Sequence, residues 1–287
     1  MTTDITTKLK TAFAAPASKE VTFECQIHGV QTYTTYQRRD GSWVEPYCPE
    51  CRRVLHERET LLEGIKQEAK ERAVELARAL HCERPLDFDV PTFDNYVPES
   101  EEELKNLTIC RRFAERFTDR EVEREKAHNA QDKNWRSKNS LGLLLFGNYG
   151  TGKSHLCYSI LKELDKQGIP GFYITIPDLF DRISDKENRV NLPSILAKLA
   201  MVSCLVLDEI GVQSGSNEEK KRLYQIIDGR IKNGRPTILI TNLMKDELDD
   251  LLTQRVTDRI NQSTYRLMFT GRSRRESHKN KSSEELF

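Results

Sequence analysis

The stretch Gly147-Asn148-Tyr149-Gly150-Thr151-Gly152-Lys153-Ser154 fits the pattern G-x-x-x-x-G-K-[ST] at every required position. The apolar run Leu143 to Phe146 stands before it and reads as a strand; His155 to Lys166 follows, with Leu156, Ile160, Leu161 and Leu164 at helical spacing. Strand, glycine-rich turn and helix in that order make an anion cradle. Glycines let the main chain wrap closely with its N–H groups turned inward, and the helix adds the positive end of its dipole. A chance Gly-rich turn would lack those flanks. The expected ligand is ATP, with Gly147, Asn148, Tyr149, Gly150, Thr151, Gly152, Lys153, Ser154 and His155 around its phosphates. Lys153 would reach the β- and γ-phosphates and Ser154 would ligate Mg²⁺.

A second apolar run, Leu205-Val206-Leu207-Asp208-Glu209-Ile210-Gly211, carries two acids near its end. Beside a phosphate loop, Asp208 is expected to hold Mg²⁺ and Glu209 to orient and deprotonate the attacking water, so the pair points to an ATPase that hydrolyses. Read alone, two acids at a strand end are also a polar boundary. A third run, Ile238-Leu239-Ile240-Thr241-Asn242, ends in an amide that can bond a γ-phosphate or a lytic water, or can be an ordinary strand end. The runs Leu143 to Phe146, Phe172 to Ile176, Cys204 to Leu207 and Thr237 to Thr241 alternate with amphipathic stretches. This predicts an α/β fold, a P-loop core with a parallel sheet between helices.

Outward from that core, 287 residues suggest one or two domains, and 37% hydrophobic against 31% charged residues reads as soluble and globular. No apolar run approaches the roughly 18 residues of a membrane span. Residues 1–20 lack the apolar segment of a secretory signal, so the expected location is cytoplasmic, with reduced thiols. The 45 basic residues balance 45 acidic ones, so attraction to nucleic acid has to come from a local patch. Thr253 to Lys281 offers one, with Arg255, Arg259, Arg266, Arg272, Arg274, Arg275, Lys279 and Lys281 against Asp258 and Glu276; a solvated tail is the other reading.

Cys25-x2-His28 and Cys48-x2-Cys51 are two ligand pairs separated by 19 residues. Each pair can face one ion, and the two together close a tetrahedral Zn²⁺ site with no open position, structural in kind. The β-branched and aromatic residues at Val21 to Phe23, Thr32 to Tyr36 and Trp43 to Val44, with a turn at Arg39-Asp40-Gly41, suggest a small β module of the zinc-ribbon kind. So short a module needs its metal to fold. His56 is a spare ligand without paired spacing. Cys157 and Cys204 fall in core elements as buried apolar residues.

These signals divide the chain into a mobile lead-in (1–20), a zinc-ribbon module (21–55) and an amphipathic helix (56–84) bearing part of a stripe of Leu55, Leu62, Ile65, Ala69, Leu76 and Leu80. A Pro-broken linker (85–100), an ATPase domain (101–272) opening with one helix through about Lys126, and a basic tail (273–287) complete it. The helix either lies on its own domain or docks on a partner helix.

The order strand, GNYGTGKS, LVLDEIG, TILITN and QRVTDRI resembles the AAA+ ATPases of the DnaC helicase-loader and IstB group, from about Thr92 to Arg275. Pro91-Thr92-Phe93-Asp94-Asn95-Tyr96 and Leu223 to Asp228 followed by Gly234-Arg235-Pro236-Thr237 are similar to segments of the same group. The resemblance implies that Asn242 is a sensor, that Arg259 is an arginine finger reaching a neighbouring subunit's γ-phosphate, and that Arg275, with Arg274 as its neighbouring choice, is a second sensor. It also implies a homo-oligomer in the ATP state that loads a replicative DnaB-type helicase on single-stranded DNA, with the N-terminal module contacting the helicase. A transposition helper of the IstB kind shares the same core. A zinc DNA-binding regulator that does not hydrolyse is the reading from another class, and Glu209 and Arg259 argue against it.

Overall fold

In the computed structural model of the chain, residues 16–82, 91–132, 142–184, 191–211 and 216–274 are described. The expected lead-in up to residue 15, the first part of the Pro-broken linker (85–90), Arg275, Lys279 and Lys281 lie outside them. The chain divides into two units, Met1–Thr60 and Leu61–Phe287.

The first unit is built on an antiparallel hairpin, β1 (Ser18–Cys25) and β2 (Gly29–Tyr36), with Cys25 opposite Gly29. β1 starts inside the stretch read as a lead-in, because Ser18 pairs with Tyr36. Alternation puts Val21, Phe23, Gln31, Tyr33 and Thr35 on the more covered face. There Phe23 meets Tyr33 edge-on at 6.1 Å and Tyr33 leans on Tyr47 at 5.1 Å. The third strand expected at Trp43 reduces to one bridge, Gln37 to Trp43. Around the turn at Arg39-Asp40-Gly41, Arg38 N donates to Ser42 O at 2.7 Å, and Asp40 Oδ1 accepts from Ser42 N at 2.9 Å. α1 (Pro49–Ala79) begins here with Pro49 in its first turn, where a missing N–H costs nothing, and its residues from Leu61 on belong to the second unit.

In the second unit the stripe of α1 is buried at Ile65, Ala69, Ala73, Leu76 and Ala77, whereas Leu55, expected in the same stripe, is exposed. The helix closes with His81 at φ +48° and Cys82 N bonded back to Ala77 O at 3.0 Å. Arg182 donates to the Leu80 and His81 carbonyls at 2.9 and 2.8 Å, satisfying groups the helix end leaves open. The long helix expected next is two, α2 (Glu101–Glu115) and α3 (Phe117–Asn129). The break at Arg116 re-aims the chain so that Phe117, Glu121 and Val122 are buried.

Five parallel strands follow in the order β4-β5-β6-β3-β7: β3 (Gly142–Gly147), β4 (Phe172–Thr175), β5 (Leu205–Ile210), β6 (Thr237–Thr241) and β7 (Thr264–Phe269). β6 is buried at every position, and β3 and β5 at all but one. α4 (Lys153–Lys166) covers one face through Leu156, Ile160 and Leu164. The other face packs on α5 (Ile176–Ser184), α6 (Leu192–Met201), α7 (Asn217–Lys232) and α9 (Gln254–Ser263), with α8 (Lys245–Leu251) at its margin. Each large apolar side chain so buried contributes about 1.5–3 kcal/mol. β7 was not foreseen. Its Arg266 belongs to the basic patch expected over Thr253 to Lys281, whose described members the structure distributes over α9 (Arg255, Arg259), β7 (Arg266) and the segment after it (Arg272, Arg274). Phe172 to Ile176 also ends as a strand at Thr175, since Ile176 already begins α5.

Candidate functional site

β3 lies at the centre of the site because its two neighbours, β6 and β7, both come later in the chain and leave its C-terminal end open to the loop that follows. That loop demands glycine. Gly147, Gly150 and Gly152 have φ of +117°, +71° and +94°. A Cβ on them would stand 2.3 Å from Phe269 O, 2.2 Å from Ser273 Oγ and 2.7 Å from the Tyr96 ring. Asn148 N donates to Phe269 O at 2.8 Å and its amide to Thr270 O at 3.1 Å, so the end of β7 pins the loop. Thr151 is buried and its hydroxyl donates to Asn148 O at 2.8 Å; Tyr149 is exposed at the tip. Lys153 Nζ, itself buried, donates to Gly147 O at 2.8 Å and Asn148 O at 2.5 Å.

His155, at the start of α4, has Nε2 2.9 Å from Thr92 O and its ring 5.4 Å from that of Tyr96. Tyr96 is buried under Gly152, and that burial pushes its phenol up to about 12. Arg274 closes the same corner. Its backbone N donates to Gly150 O at 2.8 Å, its guanidinium lies 4.4 Å over the Tyr96 ring, and it pairs with the buried Glu103 at 2.7 Å. Arg275, the expected second sensor, lies outside the described residues.

Asp208 and Glu209 face differently, and the backbone explains it. The β5–β6 register shifts between Leu207 and Ile210, a bulge that leaves Asp208 buried and turns Glu209, at φ +59°, out to solvent. Asp208 Oδ2 accepts from Ser154 Oγ at 3.0 Å and from Tyr173 Oη at 2.6 Å, and Oδ1 accepts from Glu209 N at 2.6 Å. Burial, then the Asp208 charge, pushes the Tyr173 phenol far up, so it stays a donor. Asn242 follows β6, between the strand of Asp208 and the strand of the glycine loop, and is half-buried. Arg259 on α9 is held by Asp228 of α7 at 3.0 Å and by Gln262 at 3.0 Å, and Lys232 shares Asp228 at 2.6 Å. Tyr173 escapes sequence reasoning, and Tyr96 enters it only as the last residue of the segment Pro91 to Tyr96. The only trace of Tyr173 was a tyrosine in the strand that pairs with the Asp208 strand, and that pairing is visible only in the register Tyr173–Val206, Thr175–Asp208.

In the first unit the ligand atoms of Cys25, His28, Cys48 and Cys51 lie within 4.8 Å of one another. Cys25 Sγ is 3.7 Å from Cys51 Sγ, and His28 Nδ1 is 3.4 Å from Cys48 Sγ and 3.3 Å from Cys51 Sγ. A tetrahedral zinc with bonds of about 2.3 Å to sulfur and 2.05 Å to nitrogen has edges of about 3.8 and 3.5 Å, so this donor set fits one. The hairpin tip supplies one pair, and the start of α1 supplies the other, with Cys51 N 3.5 Å from Cys48 Sγ. Backbone N–H groups of His28 and Ile27 draw the Cys25 thiol down to about 6, while desolvation and the neighbouring thiols push Cys51 up to about 11. His56 is exposed on α1, apart from the set.

Residues 113–282 match the family of IstB-like ATP binding proteins. The replicative helicase loader DnaC of Escherichia coli strain K12 is 31% identical over 219 residues, which span 71% of this chain and 81% of its own. A crystal structure of the DnaC helicase loader superposes with a TM-score of 0.51 at 24% identity, over 63% of this chain and 97% of that one. DnaI superposes with a TM-score of 0.51 at 21% identity, over 63% and 92%. Among the described residues no helix is long and apolar enough to cross a membrane.

Proposed function

Because the chain belongs to the IstB-like ATP-binding proteins, the DnaC/IstB-type AAA+ ATPases, we propose that it is a cytoplasmic, ATP-dependent loader that delivers a replicative DnaB-type helicase onto single-stranded DNA. Its ATPase part is supported by the Ser154–Asp208 hydrogen bond with Glu209 turned outward beside it, and its helicase part by the 31% identity to the DnaC loader. Ser154 and Asp208 would hold Mg²⁺, which when bound neutralises phosphate charge. Lys153 exchanges the carbonyls of Gly147 and Asn148 for the β- and γ-phosphates. Glu209 takes the proton of the attacking water and Asn242 reads the γ-phosphate. Arg259, leaving Asp228, reaches the nucleotide of a neighbouring subunit, so turnover depends on a homo-oligomer in the ATP state. Arg275 beside Arg274 is the second sensor. The Cys25, His28, Cys48 and Cys51 set holds a structural Zn²⁺ in the module that contacts the helicase.

The test is capture of the host's replicative helicase by the purified protein, with and without ATP, reading hydrolysis as single-stranded or duplex DNA is added. A stable complex with hydrolysis stimulated by single strands is expected, and Glu209→Gln should bind ATP without turning it over. No complex, with stimulation by duplex alone, would instead indicate a transposition helper. Turnover unaffected by Glu209→Gln would remove Glu209 from the mechanism.

A further inference from the structure

Asp208 is held by three donors, and sequence patterns account for two of them: the Ser154 hydroxyl at 3.0 Å and the Glu209 backbone N–H at 2.6 Å. The third, the Tyr173 hydroxyl at 2.6 Å, comes from β4 at the edge of the sheet. Its placement is built from two sides. Parallel pairing sets Thr175 beside Asp208, so Tyr173, two residues earlier, lies on the same face of the sheet. On that face its ring leans on Tyr158 of α4, centroids 4.8 Å apart at 43°, which fixes where the hydroxyl points. An aspartate at a strand end can rotate about its last side-chain bond. Here the two side-chain donors meet on one oxygen, Oδ2, while the Glu209 N–H holds Oδ1, so the hydroxyl of Tyr173 helps to remove that freedom.

We propose that Tyr173 is a positioning residue for the divalent cation that accompanies the nucleotide, holding Asp208 in the orientation that shares the cation site with Ser154. This rests on the ATPase reading above for the identity of the site, but its test reads binding. Outer-shell donors of this kind typically change metal affinity by about 10- to 100-fold when removed.

The experiment titrates a fluorescent ATP analogue into the full-length protein, wild type and Tyr173→Phe, in excess EDTA and at increasing Mg²⁺. The melting temperature without nucleotide verifies that the variant is folded. The expected result is unchanged affinity in EDTA and about tenfold more Mg²⁺ for half-maximal binding, an effect absent when Tyr173→Phe is added to Asp208→Asn. Equal loss in EDTA and Mg²⁺ would make Tyr173 a packing residue. An unchanged or lowered Mg²⁺ requirement would equally overturn the proposal. Wild-type protein that binds nucleotide but never hydrolyses it would count against the ATPase reading alone.

Discussion

Glu209 holds a φ of +59°, a left-handed backbone that costs a glutamate on the order of 1–3 kcal/mol. Its side chain is exposed, so packing does not offset that cost. Asparagine tolerates this region far better. Glu209→Asn should therefore stabilise the folded protein by about 1 kcal/mol, raising its melting temperature by about 2–4 °C, while abolishing ATP turnover. Calorimetry and a phosphate-release assay check both halves; a variant that melts lower would mean the strain lies elsewhere. The strain itself was not legible in the sequence, because a bulge is a property of two strands in register. Asp208 and Glu209 were legible as a pair for the opposite reason: an apolar run ending in acids is visible in one strand. Tyr173 failed that visibility. Its partner is 35 residues away, and its neighbours Phe172 and Ile174 look like any buried strand.

At the scale of elements, the first unit stands on one hairpin, a few aromatic contacts and the beginning of a helix, a core far smaller than independent stability requires. Closing four ligands on a metal supplies what is missing. We expect about one zinc per chain by elemental analysis, lost in Cys51→Ser, and loss of hairpin structure on chelation while nucleotide affinity of the second unit stays the same. Nucleotide binding that collapses with the metal would contradict this. The ligand spacing was legible because each pair is local. The hairpin that presents the first pair was less so: Cys25 and Gly29 face each other across the metal-binding turn itself, whose one ordinary turn signal is Gly29, at φ +70°. β7 was hidden for a chemical reason, since Arg266 and two exposed neighbours, Tyr265 and Met268, break up its apolar pattern at the edge of the sheet.

For the whole molecule, the informative cut lies between Thr60 and Leu61. Removing residues 1–60 keeps the buried part of α1; removing 1–85 also takes away Ile65, Ala69, Leu76 and Leu80, each contributing to the core of the nucleotide-binding unit. The shorter truncation should retain nucleotide binding and lose helicase capture. The longer one should lose roughly 1.5–3 kcal/mol for each large side chain and fail to melt cooperatively. Fluorescent-nucleotide titration and thermal melts of the two distinguish these outcomes. Residue order also governs how the protein is made. The glycine loop is anchored by Phe269 and Thr270 and bonded by the Arg274 backbone, yet it is translated more than a hundred residues before them. On the ribosome, β3 waits with both edges bare until β6 and then β7 emerge. A nascent or prematurely terminated chain therefore has no finished pocket, and ATP first meets a binding-competent protein only after residue 274 has cleared the exit tunnel.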